Sequence, residues 1–116
     1  VVVFYRDERG RDVVRNDLDA LGRDEREKVG AYITYLEERG EELRRPVADY
    51  LGDKIYELRP KGVRVLYSFV GRKLAVVLHA LRKKTAAVPE SDKRTARMRL
   101  DNFSRRFVAG EIEVKE

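Results

Sequence analysis

The chain of 116 residues has no cysteine and a single histidine, His79. No disulfide framework, Cys-built metal site or thiol nucleophile is therefore open to it, and one histidine does not make a His-built metal centre. No apolar run approaches the roughly 18 residues of a membrane span, and the apolar start, residues 1–5, is too short for a signal peptide. Also missing is an aromatic-rich platform on which single-stranded RNA could stack unaided. These absences lead to the expectation of a cytoplasmic protein without a Cys- or His-built metal site. The sequence begins at Val1 without a methionine, so one or more preceding residues are expected. At this length one domain with a modest core fits and two do not, so residues 1–116 are read as a single domain.

Charge is what the chain has in abundance. Charged residues make up 41% of it, yet 42% are hydrophobic and fall in periodic runs, which argues against disorder. The net charge of +5 is unevenly spread. Residues 1–53 hold 10 Lys/Arg against 14 Asp/Glu, whereas residues 54–116 hold 16 against 7. A basic C-terminal half suits a polyanion, and equally an acidic protein partner.

Residues 54–89 organise the rest. Two short breaks, Pro60-Lys61-Gly62 and Gly71-Arg72, separate runs rich in Val, Leu, Tyr and Phe, the pattern of an antiparallel three-strand meander ending in a basic tract. With two-residue turns at Lys61-Gly62 and Gly71-Arg72, residue 58 lies opposite 65 and residue 64 opposite 79. One face then carries Tyr56, Leu58, Val63, Val65, Tyr67, Phe69, Leu74, Val76 and Leu78, and must be core. The other carries Glu57, Arg59, Arg64, Ser68 and His79, with Lys83 continuing its parity and Ile55, Leu66 and Val77 interspersed. Arg59, Arg64 and His79 would form a row across three strands. An ordinary solvated face is also polar, but converging cations oppose folding and suit an anion.

Around this meander the chain reads in order. Residues 1–5 form a short strand. Val14, Leu18 and Leu21 mark a short helix that Gly22 stops. Val29, Tyr32, Ile33 and Leu36 mark a second, with Asp24, Glu25 and Glu27 in its first turns and Gly40 at its end. Residues 41–52 read as a connector over the core. Pro89 opens a last helix, with Ala96, Leu100, Phe103 and Phe107 as its buried stripe and Lys93, Arg94, Arg97, Arg105 and Arg106 outside. The tail, residues 110–116, alternates Ile112 and Val114 with charges, as a last strand or a frayed end would. The order β-α-α-β-β-β-α gives an α+β fold: a small antiparallel sheet with helices covering one face and the other left open.

The segments YELRPKGVRVLYSF (residues 56–69) and VVLHALRKKTAAVP (residues 76–89), with an Ala-bearing helix behind them, resemble the RelE/ParE superfamily of toxin–antitoxin toxins, and within it the phage-derived HigB-type branch. Similarity reaches back to Val3-Phe4-Tyr5 and the helix ending at Gly40. Leu81 stands where the branch usually has Phe, and Val63 where an aromatic often precedes the Arg; both departures concern packing. The resemblance implies a RelE-like fold and a toxin that cleaves mRNA in the ribosomal A site without metal or cofactor. It also implies a cognate antitoxin, usually a helix-turn-helix protein of the HigA kind. By position it carries the catalytic role to Arg59, Arg64, His79, Lys83 and Lys84.

Cleavage of RNA by its own 2′-OH needs a base, cations for the transition state and an acid for the departing oxygen. Arg59 and Arg64 are expected to grip the scissile phosphate. His79 has the suitable ordinary pKa for proton transfer, with Lys83 or Lys84 as substitutes, although a histidine in a strand can equally be packed at a sheet edge. Arg82, Lys93, Arg94 and Arg97 are expected to bind RNA. Two other readings compete: a ParE-like inhibitor of DNA gyrase, and a non-catalytic nucleic-acid- or protein-binding module of phage origin.

Overall fold

Residues Val63–Val70 form an apolar strand in the middle of the sheet, and seven of the eight are buried, whichever side they face. That pattern requires cover on both sides of the sheet. The computed structural model describes residues 1–113 and supplies the cover. Its elements run β1 (Val2–Phe4), α1 (Val13–Asp19), α2 (Arg23–Arg39), β2 (Ala48–Gly52), β3 (Ile55–Leu58), β4 (Val63–Val70), β5 (Leu74–Arg82) and α3 (Glu90–Val108). The strands lie in the order β1-β5-β4-β3-β2. The β2-β3-β4-β5 pairs are antiparallel, while β1 runs parallel to β5 at the edge.

The α+β class is the one expected, and so is the order of elements apart from one added strand. Three details differ. The sheet has five strands, because residues 48–52 pair with β3 instead of forming a loop, and it is mixed, because β1 joins β5 in parallel. Gly52-Asp53 is the only turn signal between β2 and β3, and the two turn residues themselves are atypical: Asp53 and Lys54 both take the left-handed conformation (φ 52° and 68°) that normally selects Gly or Asn. Their hairpin is closed by the Tyr50 hydroxyl, which accepts from the Lys54 amide at 3.0 Å.

Helices also cover both faces, not one. Phe4 and its neighbour Tyr5 point to opposite sides. Phe4 lies under the Arg15 guanidinium of α1, and the Tyr5 hydroxyl donates to Asn102 of α3. The reason is that the face read as open is also apolar: Leu66, read there, is buried, and so are Val70, Leu74 and Val76, the last two expected on the core face but turned to this side by the register of β5. The helix α3 covers them with Ala96, Leu100 and Phe103, spaced to share one side of a helix. On the other face α2 buries Val29, Ile33 and Leu36.

The third difference is register. Leu58 lies opposite Val65, as the sequence predicts. The second turn, however, holds three residues, with Val70 opposite Leu74, and a bulge between Leu66 and Tyr67 adds one more residue to β5. Each shift alone would swap the faces of β5. Near the turn it does: Val76 pairs with Ser68, on the side opposite Tyr67. Beyond the bulge the two shifts add to two residues, so His79 returns to the side of Arg64, although Arg64 itself lies opposite Leu81. In the tail, residues 110–113 form a turn and irregular chain; Val114, half of the expected alternation, lies outside the described residues.

Candidate active site at the end of the central strands

Arg64 stands at the beginning of β4 and is held on three sides. Its Nη1 donates to the carbonyls of Pro60 at 3.0 Å and Val63 at 2.8 Å, and its Nε faces Glu57 Oε1 at 3.4 Å. The other oxygen of Glu57 accepts from Arg59 Nη1 at 2.6 Å. One carboxylate, only 4% exposed, therefore neutralises one of two neighbouring guanidiniums and leaves the trio with a net positive charge. Burial first, and then the nearby Arg59, lowers the pKa of Arg64 from its ordinary value, yet a guanidinium stays charged in a protein.

Arg64 also lines a cavity of about 370 Å³. Its Nη2 is the nitrogen left for a ligand, because the other two are engaged. The rest of the wall comes from Leu81 and Arg82 of β5, the loop of residues 83–88, and Pro89 and Asp92 at the start of α3. The loop is pinned at both ends. The Lys83 amide donates to the Gly62 carbonyl of the β3–β4 turn at 2.9 Å, and Val88 packs against the core. Between these anchors the side chains of Lys83 and Lys84 are exposed and make no ion pair among the described residues.

The cations expected to act together thus divide. Arg64, Arg82, Lys83 and Lys84 share the cavity. Arg59 is absent from its lining and reaches it only through Glu57. His79 faces α3 instead: Nε2 lies 2.7 Å from Asp92 Oδ1, and Nδ1 lies 3.3 Å from Arg99 Nη1. Arginine can only donate, so Nδ1 accepts and Nε2 carries the proton given to Asp92. Arg99 is itself anchored on the Leu78 carbonyl at 2.8 Å. The expected row of Arg59, Arg64 and His79 is therefore two separate assemblies, one on Glu57 and one on α3.

The expected RNA-binding residues are mostly paired. Arg82 meets Glu25 of α2 at 3.0 Å; that hydrogen bond raises the pKa of Arg82 and lowers that of Glu25. Arg97 is shared between Glu90 at 3.1 Å and Asp53 at 3.6 Å, and Lys93 lies 3.8 Å from Glu90. Arg94 is exposed and unpaired among the described residues.

Sequence reasoning passed over three residues of this region: Glu57, Asp92 and Arg99. Glu57 had a signal, since a lone carboxylate sits on the predicted face beside two arginines. Asp92 and Arg99 had none, because their partner is on another element. Among the described residues no group of three or more His, Cys, Asp or Glu is placed to hold a metal ion, and no helix is long and apolar enough to cross a membrane.

This arrangement of three helices on a five-stranded sheet is the RelE fold. The crystal structure of the isolated E. coli RelE toxin matches with a TM-score of 0.51 over 84% of this chain and 95% of that one, at 19% sequence identity. More specifically, residues 16–101 match the family model described as phage derived protein Gp49-like (DUF891). The chain belongs to this phage-derived Gp49-like family. The matched stretch includes the Glu57 trio, the basic loop, His79 and Asp92. No curated protein matches the chain significantly.

Proposed function

We propose that this protein is the toxin of a type II toxin–antitoxin system and acts as a ribosome-dependent endoribonuclease on mRNA. The observation that carries the reading is that a nearly buried Arg64, held through Nη1 and Nε with no hydrogen bond on Nη2 among the described residues, lines a cavity together with Lys83 and Lys84. A fixed cation at a concave, partly desolvated position stabilises a phosphorane-like charge without reorganising, which is how such sites accelerate phosphate chemistry. Family membership and the RelE fold support the same reading.

In this scheme the scissile phosphate enters the cavity and receives hydrogen bonds from Arg64 Nη2, a single nitrogen and not the two-nitrogen fork of a free guanidinium. Lys83 and Lys84 add positive charge and can supply the proton for the departing 5′-oxygen. Arg59 acts at one remove, since it shares Glu57 and so prevents that carboxylate from cancelling the charge on Arg64. His79 acts through Asp92. Arg82, Lys93, Arg94 and Arg97 face ribosomal RNA, with Arg94 the most available. The ribosome presents the single strand that this surface has no aromatic platform to hold by itself. A cognate helix-turn-helix antitoxin would keep the toxin inactive, and the site of action would be the cytoplasm.

The test is primer-extension mapping of a reporter mRNA in a cell-free translation reaction, with and without an initiation inhibitor. Discrete new 5′ ends that vanish when initiation is blocked are expected. Cuts that persist without translation would make it a free ribonuclease. Intact mRNA from a protein that still arrests growth would overturn the nuclease reading in favour of a protein target such as gyrase.

A further inference from the structure

A ribonuclease of this kind needs a base for the 2′-hydroxyl, and the residue types first suited to the task are not placed for it. His79 has both ring nitrogens engaged, with Arg99 donating to Nδ1 and Nε2–H donating to Asp92. Neither nitrogen has a free lone pair with which to take a proton. Glu57 is buried under two guanidiniums and is absent from the cavity wall. Among the described residues that line the cavity, Asp92 is the one carboxylate, and it shares the lining with Arg64, Arg82, Lys83 and Lys84.

We infer that Asp92 is the general base of the cleavage and that His79, with Arg99 behind it, is its positioning residue. This rests on the ribonuclease reading above. His79 occupies Oδ1 of Asp92, while Oδ2 makes no hydrogen bond among the described residues, and the side chain is 25% exposed. The carboxylate is thus oriented by one oxygen and open at the other. Its backbone is equally fixed, since the Asp92 amide donates to the Pro89 carbonyl at 3.1 Å in the first turn of α3. The chain Arg99–His79–Asp92 ties that turn to β5, so the position of the base relative to Arg64 is set by the sheet and helix and not by the exposed loop.

The step balances as follows. Oδ2 of Asp92 takes the proton of the 2′-hydroxyl as the O2′–P bond forms, with Arg64 Nη2 on a phosphate oxygen. The P–O5′ bond breaks, and its electron pair leaves on O5′, which takes a proton from the ammonium of Lys83 or Lys84. The products are a 2′,3′-cyclic phosphate and a 5′-hydroxyl. Solvent returns the enzyme to its starting protonation.

Single-turnover cleavage on programmed ribosomes tests this, using the full-length protein and an mRNA with a defined A-site codon. Asp92→Asn keeps an oxygen that accepts from His79 but cannot take a proton; the rate should fall by about 10²–10⁴-fold. Retention on ribosomes carrying a 2′-O-methyl mRNA should be unchanged. His79→Ala should slow cleavage less than Asp92→Asn does. For the wild type, a carboxylate base paired with an ammonium acid gives a rate that is flat between pH 6 and about 8, whereas a lysine base gives one that rises about tenfold per pH unit. Wild-type rates for Asp92→Asn, or a rate that climbs with pH in the wild type, would overturn the assignment; the second readout stands even if the variant does not fold. Absence of any cleavage by the wild type would instead overturn the ribonuclease reading and this assignment with it.

Discussion

Glu57 shows how one residue changes the meaning of its neighbours. Two arginines on a strand face repel each other, and without a counter-ion their burial would be prohibitive. With Glu57 between them the trio is stable, and Arg64 keeps a single nitrogen for a ligand. Removing one member of a buried ionic assembly leaves the others uncompensated, at a cost of about 3–5 kcal/mol. Glu57→Ala should therefore lower the free energy of unfolding by that order in urea titrations, and should also impair cleavage because Arg64 loses its orientation. Unchanged stability would mean that the two guanidiniums are solvated well enough to need no carboxylate. Arg64 was singled out in the sequence by its type and place. Its partners were not, because hydrogen bonds to Pro60 and Val63 carbonyls depend on the shape of a turn.

At the scale of elements, α2 and β5 are joined where their ends meet. Glu25 closes the first turn of α2 by accepting from the Gly22 amide at 2.9 Å and also receives Arg82 from the end of β5. Arg82 is the main cause of the lowered Glu25 pKa, with the Gly22 amide second. A carboxyl held below its ordinary 4.5 stabilises the fold above that pH and loses its contribution as pH falls through the depressed value. Glu25→Ala should accordingly lower the melting temperature slightly at pH 7, and the gap from wild type should close in acid below pH 4.5. A gap that persists in acid would show that the charge of Glu25 is not what matters. The first turn of α2 was readable in the sequence from its acids; the link to Arg82 spans 57 positions and no local pattern could show it.

Across the whole molecule, the excess positive charge of the C-terminal half is partly spent internally. Arg82, Lys93 and Arg97 meet carboxylates at Glu25, Glu90 and Asp53, so the cations free for a polyanion are fewer than the sequence suggests. Of the cations expected to meet RNA or phosphate, Arg94 and the loop lysines Lys83 and Lys84 remain exposed and without an ion pair among the described residues. Each phosphate contact adds about one unit to the slope of log affinity against log salt. Arg94→Ala should reduce that slope for ribosome binding by about 1, whereas Lys93→Ala should change it less because Lys93 already faces Glu90. Equal effects would indicate that ribosome binding breaks the Lys93–Glu90 pair.

By itself the sequence determined the α+β class, the three helices with their buried stripes, the meander and the first hairpin register, because each follows from local periodicity and turn chemistry. It also determined that Arg64, Lys83 and Lys84 are cations at one end of that meander. Only the tertiary structure decided that both faces are covered, that residues 48–52 form a strand, and that His79 meets Asp92 and Arg99 of α3 and does not itself line the cavity. The physical reason is the same in each case. A bulge, a left-handed pair in a hairpin and a hydrogen bond across tens of residues are each selected by the energy of packing the whole chain, and no window of neighbouring residues contains it.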